Sequence, residues 1–455
     1  MNPIELQLNA WMGSRVDGKV ARGAKWALQP AIEAPPTFLA PRPIANPWEW
    51  KHPSVGWGVI ARDGAAIPPA LDELRNHRRY DGKPAPLFRF LPDSKYAYVL
   101  LRNYDAGKDI DMNSAPRGIA PDALPQFVLI YGSPDAVPWR LQYILNANRC
   151  VGRLDLEGPT LQNYVNALMN GWNEGSSARA DRAVVWAVVD DPGDITGIMR
   201  TTIAARVAAS LQGDTDIGAK LQFIDGLAAS ADSAQLVQAV RDRSPGLIVT
   251  TSHGQTGPLE DRGAMARKLG VLVDQNHETV DGEKLLAEWQ PSGAIWYAHA
   301  CCSAGGDAKS NFSDLFAQDT TARQVLDAVA SLGSRVAPLP RALLGVERPL
   351  RAFIGHVEPT FDWTLRQQAT GQFLTSSLTD ALYTRLYQPY PVGFAFREWY
   401  ARIGGLNTSY ESSRTKFNDG EDNVDLLLSL QLAARDIQST VILGDPTVAL
   451  PPLRS

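Results

Sequence analysis

The chain has 455 residues, with 44 Lys and Arg against 49 Asp and Glu for a net charge of −5, 44% apolar residues and three cysteines. It is roughly three times the length of a common domain, so it can bury a full core as one large α/β unit or two smaller ones. The near-neutral charge lacks the basic footprint of a nucleic-acid binder, and no apolar run reaches the roughly 18–20 residues a membrane-crossing helix needs.

Residues 1–90 interleave Pro30, Pro35, Pro36, Pro41, Pro43, Pro47 and Pro53 with Trp11, Trp26, Trp48, Trp50 and Trp57. So many prolines exclude a long helix and so many tryptophans seek burial, which predicts an irregular layer, of unassigned role, against the body. An N-terminal α/β subdomain is expected over 91–175. Tyr96–Leu101 and Phe127–Tyr131 read as buried parallel strands, and Thr160–Trp172 as a helix with Leu161, Tyr164, Val165 and Leu168 on one face. The polar stretch Asn173–Ala180 marks a boundary, after which 180–455 has a cleaner rhythm. Strands are predicted at Ala183–Val189, Leu221–Ile224, Leu247–Thr251 and Ala294–Ala298, and helices at Ile198–Leu211, Asp232–Arg243, Asp281–Trp289 and Thr320–Leu332. Such alternation predicts a mostly parallel sheet flanked by helices on both faces.

Two predicted strand ends carry chemistry: Val249-Thr-Thr-Ser-His253-Gly254 and Trp296-Tyr-Ala-His299-Ala-Cys301-Cys302-Ser-Ala-Gly305. Ligands bind outside the carboxyl ends of strands in open parallel sheets, so both fall where a site is expected. A cysteine nucleophile needs a nearby base, which His253 supplies from a neighbouring strand. The N–H groups of Gly254 and Cys301 would form an oxyanion hole.

An apolar strand ending in His-Gly and, 48 residues after the histidine, a strand ending in Ala-Cys resembles the caspase-like cysteine peptidases. Val280-Asp-Gly-Glu-Lys-Leu-Leu, Ala-Cys-Cys-Ser-Ala-Gly, Phe127-Val-Leu-Ile-Tyr-Gly-Ser-Pro-Asp135, Gly152-Arg153-Leu154 and Leu443-Gly-Asp-Pro446 look most like the gingipain and CHAT types. The resemblance spans about Phe127 to Pro446. It implies the caspase-like (caspase-hemoglobinase) fold and a thiol protease, a hydrolase cutting a protein substrate through a Cys-His dyad and an acyl-enzyme without cofactor or metal. An activating protein or protease, and a role in bacterial antiviral defence or cell death, are further implications; the competing class is a non-catalytic scaffold.

Cys301 aligns with the family's nucleophile, with Cys302 as its rival, and His299 is a pocket residue or a rival base. A zinc site built from His253, His299, Cys301 and Cys302 has irregular spacing. Asp190 and Asp191 would favour a basic residue before the cut, although acidic residues beside Pro-Gly are also ordinary turn formers. Glu358 and Trp363 are candidate pocket walls, with a core tryptophan the plainer reading. The first residues lack the basic-then-apolar pattern of a secretory signal and the cysteines are poorly placed for disulfides, so a cytoplasmic location is expected.

Overall fold

The computed structural model describes residues 5–20, 45–173, 178–367 and 370–453. Twelve strands join in one sheet: β1 (Trp57–Arg62), β2 (Leu87–Phe90), β3 (Leu100–Asn103), β4 (Lys108–Asp111), β5 (Phe127–Tyr131), β6 (Cys150–Leu154), β7 (Arg179–Ala187), β8 (Leu221–Asp225), β9 (Pro245–Thr251), β10 (Ile295–His299), β11 (Ala352–His356) and β12 (Thr440–Gly444). Their order is β8-β7-β9-β10-β11-β12-β6-β5-β1-β2-β3-β4. The strands β8, β7, β9, β10 and β11 run parallel to one another, as do β12, β6, β5, β1 and β2. The β11–β12 pair is antiparallel, so the two halves point their carboxyl ends to opposite rims.

Every residue of β9 and β10 is buried, which is why neither segment alternates apolar with polar: helices cover both faces. The crossover helices start where the sequence supplies caps. Asp232 accepts from the Gln235 amide at the head of Ser233–Arg243, Asp281 from Glu283 and Lys284 ahead of Gly282–Glu288, and Thr320 from Arg323 ahead of Thr321–Ser331.

Two differences from the sequence expectation stand out. Residues 57–90 are not an irregular layer, because Trp57–Arg62 lies inside the sheet between β5 and β2; flanking prolines and turns disguise its pattern. Tyr96–Leu101 is not a buried parallel strand either. Residues 95–99 form turns that leave Tyr96 and Val99 exposed, and the strand starts at Leu100 with antiparallel neighbours. The boundary stretch includes 174–177, which lie outside the described residues, and strands from both sides of it share the one sheet.

A second β-element sits on the carboxyl rim of β9 and β10. Glu5–Leu8 pairs antiparallel with Val16–Lys19, and the tip of this hairpin carries Ala10–Trp11 into a three-stranded sheet with His253–Gln255 and Leu272–Val273. Leu6, Leu8, Ala10 and Val16 are buried in a hydrophobic cluster with Cys301, Cys302, Met265, Phe312 and Phe361. No described helix is long and apolar enough to cross a membrane.

Candidate active site at the carboxyl rim of β9 and β10

Parallel pairing with Thr251 opposite His299 brings the ends of β9 and β10 side by side, and the chain leaves each strand directly into a loaded loop. The loops pack backbone to backbone. A Cβ on Gly254 would fall 1.9 Å from the Cys301 carbonyl oxygen, so only glycine lets the His253 loop lie against the Cys301 turn. Gly270, in the left-handed region at φ +69°, meets the Cys302 carbonyl equally closely. Cys302 is itself left-handed at φ +54°, the bend that turns the chain away after Cys301.

The amides of Cys301 and Gly254 converge on one atom, the Asn9 carbonyl oxygen, at 3.1 and 3.4 Å. Two N–H donors aimed at one oxygen beside a thiol are the arrangement that stabilises a tetrahedral oxyanion.

His253 Nε2 lies 3.1 Å from Asp194 Oδ1, with both side chains almost fully buried. Asp194 caps the helix starting at Ile195 and accepts from the Thr196 amide at 2.8 Å and from the Thr196 hydroxyl. Burial works against its charge, but His253 and Thr196 together outweigh that and hold the carboxyl down at about 2. Asp194 thus lies within ion-pair distance of Nε2, while neither ring nitrogen of His253 makes a hydrogen bond of good geometry within the protein. The sequence points to Asp194's neighbours Asp190 and Asp191 instead, because Asp191-Pro-Gly-Asp194 has the spacing of any turn and the helix cap is visible only in the fold.

Asp190 and Asp191 engage other groups. Asp190 Oδ1 sits 2.7 Å from His277 Nε2, and its Oδ2 is 3.4 Å from Arg15 Nε. Asp191 also faces Arg15 at 3.4 Å, and Asp194 Oδ2 lies 3.6 Å from the same guanidinium. The carboxylates of Asp190 and Asp194 with His253 form the one described group spaced closely enough to hold a cation, and the Arg15 guanidinium faces both carboxylates.

The Cys301 and Cys302 thiols are 3.5 Å apart and fully buried; burial, then the Cys302 neighbour, pushes the Cys301 thiol well up. The His299 ring is turned into the protein, with Nδ1 2.8 Å from the Tyr297 hydroxyl and 3.3 Å from His356 Nε2. Burial lowers its pKa to about 3, so it stays neutral. Its main-chain carbonyl, rather than its ring, faces the cleft and accepts from Asn9 Nδ2 at 3.3 Å. The Glu358 carboxylate accepts from the Asn311 amide at 2.9 Å and is raised by burial to about 7, while its carbonyl takes the Cys302 amide at 3.5 Å. Trp363 is partly buried against the cluster that holds Leu6 and Leu8. Two residues beyond Glu358, the Thr360 carbonyl accepts from the Asn9 amide at 3.2 Å.

An open hollow of about 600 Å³ borders edge strand β8, lined by Phe223, Asp225 and Arg243; it holds no thiol and no histidine, so it is not where this chemistry gathers. No family model, curated protein or solved structure matches the chain.

Proposed function

We propose that the protein is a caspase-like cysteine endopeptidase, in which Cys301 is the nucleophile, His253 the general base and acid, Asp194 the residue that orients His253, and the Gly254 and Cys301 amides the oxyanion hole. The observation that carries this reading is the pair of N–H groups converging on one carbonyl oxygen beside Cys301. The buried Asp194 carboxylate 3.1 Å from His253 Nε2 supports it.

Catalysis then runs in two halves. Nδ1 takes the thiol proton as Sγ attacks the substrate carbonyl, the two amides hold the negative oxygen, and the imidazolium returns the proton to the departing amine as the C–N bond breaks. Water, deprotonated by the same nitrogen, hydrolyses the thioester and restores the thiol. No step calls on Cys302, whose amide is directed at Glu358 instead.

The test is covalent labelling by a peptide bearing a thiol-reactive group, read by mass spectrometry of the intact chain. One adduct on Cys301, lost in Cys301→Ala and retained in Cys302→Ala, is expected. An adduct that survives Cys301→Ala and disappears in Cys302→Ala or His299→Ala would overturn the assignment, and none in any variant would favour a non-catalytic scaffold.

A further inference from the structure

The hairpin tip is in the cleft in the manner of a substrate. Leu8 bridges Phe361 antiparallel, the Asn9 amide donates to the Thr360 carbonyl at 3.2 Å, and the Asn9 carbonyl enters the oxyanion hole. Beyond it, Ala10 and Trp11 pair with Gly254 and Gln255, and the Trp11 carbonyl accepts from the Thr256 amide at 2.9 Å. An extended chain thus enters along one wall, gives a single carbonyl to two donors and leaves along the other. The Asn9–Ala10 bond lies where a scissile bond would.

The side chain of Asn9 is fully buried. Its Nδ2 is 3.3 Å from both the His299 carbonyl and Met199 Sδ, while Oδ1 has no hydrogen-bond partner. A neutral amide is suited to such a pocket. An aspartate of the same shape would set a carboxylate against the His299 carbonyl, with a buried charge and no donor. An arginine would bring a charge to a place where the groups against the Asn9 side chain are a carbonyl and a thioether.

We propose that this peptidase cuts after asparagine, and that its own hairpin, with Asn9 in the specificity pocket, occupies the cleft and keeps the enzyme latent. The inference rests on the peptidase reading above and adds the substrate class and the form of control. For an asparaginyl substrate, Sγ bonds to the asparagine carbonyl carbon, the bond to the next residue's nitrogen breaks, that nitrogen leaves as an amine with the His253 proton, and water releases the new carboxylate. In the latent state the hairpin excludes water from Cys301, in keeping with a thiol held protonated by burial.

The experiment uses three Leu-Gln-Leu-X acyloxymethyl ketones, X being Asn, Asp or Arg, on the full chain and on two variants that loosen the hairpin. Leu6→Asp with Leu8→Asp puts charges into the apolar cluster; Arg15→Glu breaks the contacts to Asp190, Asp191 and Asp194 and serves if the first fails to fold. Labelling of Cys301 by the Asn reagent is expected to be at least tenfold faster than by the others, and at least tenfold faster in a loosened variant than in the unaltered chain. Equal or faster labelling by the Asp or Arg reagent overturns asparagine preference and leaves the peptidase reading standing. Equal rates in unaltered and loosened chains overturn latency. No labelling by any reagent in any chain overturns the peptidase reading and this inference together.

Discussion

The two parallel halves of the sheet are wound alike and used differently. In the half built from β1, β2, β5 and β6, the buried Arg153 donates from Nε to Gln142 and from its terminal nitrogens to the carbonyls of Gly132 and Pro138, and stacks on Trp139. Asp445, at the end of β12, accepts from the Trp57 indole at 2.9 Å and Arg78 at 3.1 Å. The charges of Arg153 and Asp445 are met in place by partners around them, although Tyr143 and Asn146 keep buried polar atoms without one. At the rim of β9 and β10 the amides of Gly254 and Cys301 find their acceptor in a hairpin from elsewhere in the chain, and the Nδ1 of His253 has no hydrogen-bond partner. The difference is that two main-chain donors at this rim share one acceptor on the hairpin, which a competing carbonyl could replace.

The sharpest way to break this contrast is Cys301→Ala. Peptide cleavage is expected to fall by at least about a thousandfold, as loss of a covalent nucleophile does, while Cys150→Ala leaves it intact, measured as kcat/KM on an activated chain. Asp194→Asn should come next, lowering kcat by about 10²–10⁴ with little change in KM, because the amide no longer fixes the proton on Nε2. Since Asp194 ionises at about 2, its contribution is expected to stay flat from pH 5 to 8; a kcat that falls with an acidic midpoint near 4 would contradict it.

On the structural side, Arg78→Ala leaves the buried Asp445 carboxylate without its cation, with only the Trp57 and Thr447 donors, and is expected to cost about 3 kcal/mol in denaturant unfolding. The reactivity of Cys301 in the folded fraction should persist, which separates the halves by readout. Glu358 has the smallest expected effect. Burial raises its folded pKa to about 7 from an ordinary 4.5, so the native state holds a proton the unfolded chain has released between those values. Stability should therefore decline as pH rises from 5 to 7.5, and Glu358→Gln should flatten part of that decline in thermal melts; Asp436, also raised by burial to about 7, supplies a similar slope.

Legibility in the sequence followed the range of the physics. Strands β5, β7, β8, β9 and β10 and the capped helices between them were readable because apolar runs and caps are local signals. The His253 and Cys301 loops were readable because a carboxyl rim is where an α/β sheet exposes its chain. Trp57–Arg62 was hidden by the prolines around it. Asn9 gave no signal, although Leu6 and Leu8 alternate with polar Glu5 and Gln7 as a strand would, because nothing local says which distant edge a short strand will join. The same limit separated Asp190 and Asp191 from their partner Arg15, which lies in a segment read only as unassigned.

Strand β12 has a kinetic consequence. It fills the place between β11 and β6, running against one and with the other, yet it is made long after both. Until residues 440–444 emerge, β6 and β11 each present an unpaired edge, so the two halves can form separately but cannot be welded into one sheet. A chain that stopped before residue 440 would expose both edges to quality control with nothing to join them.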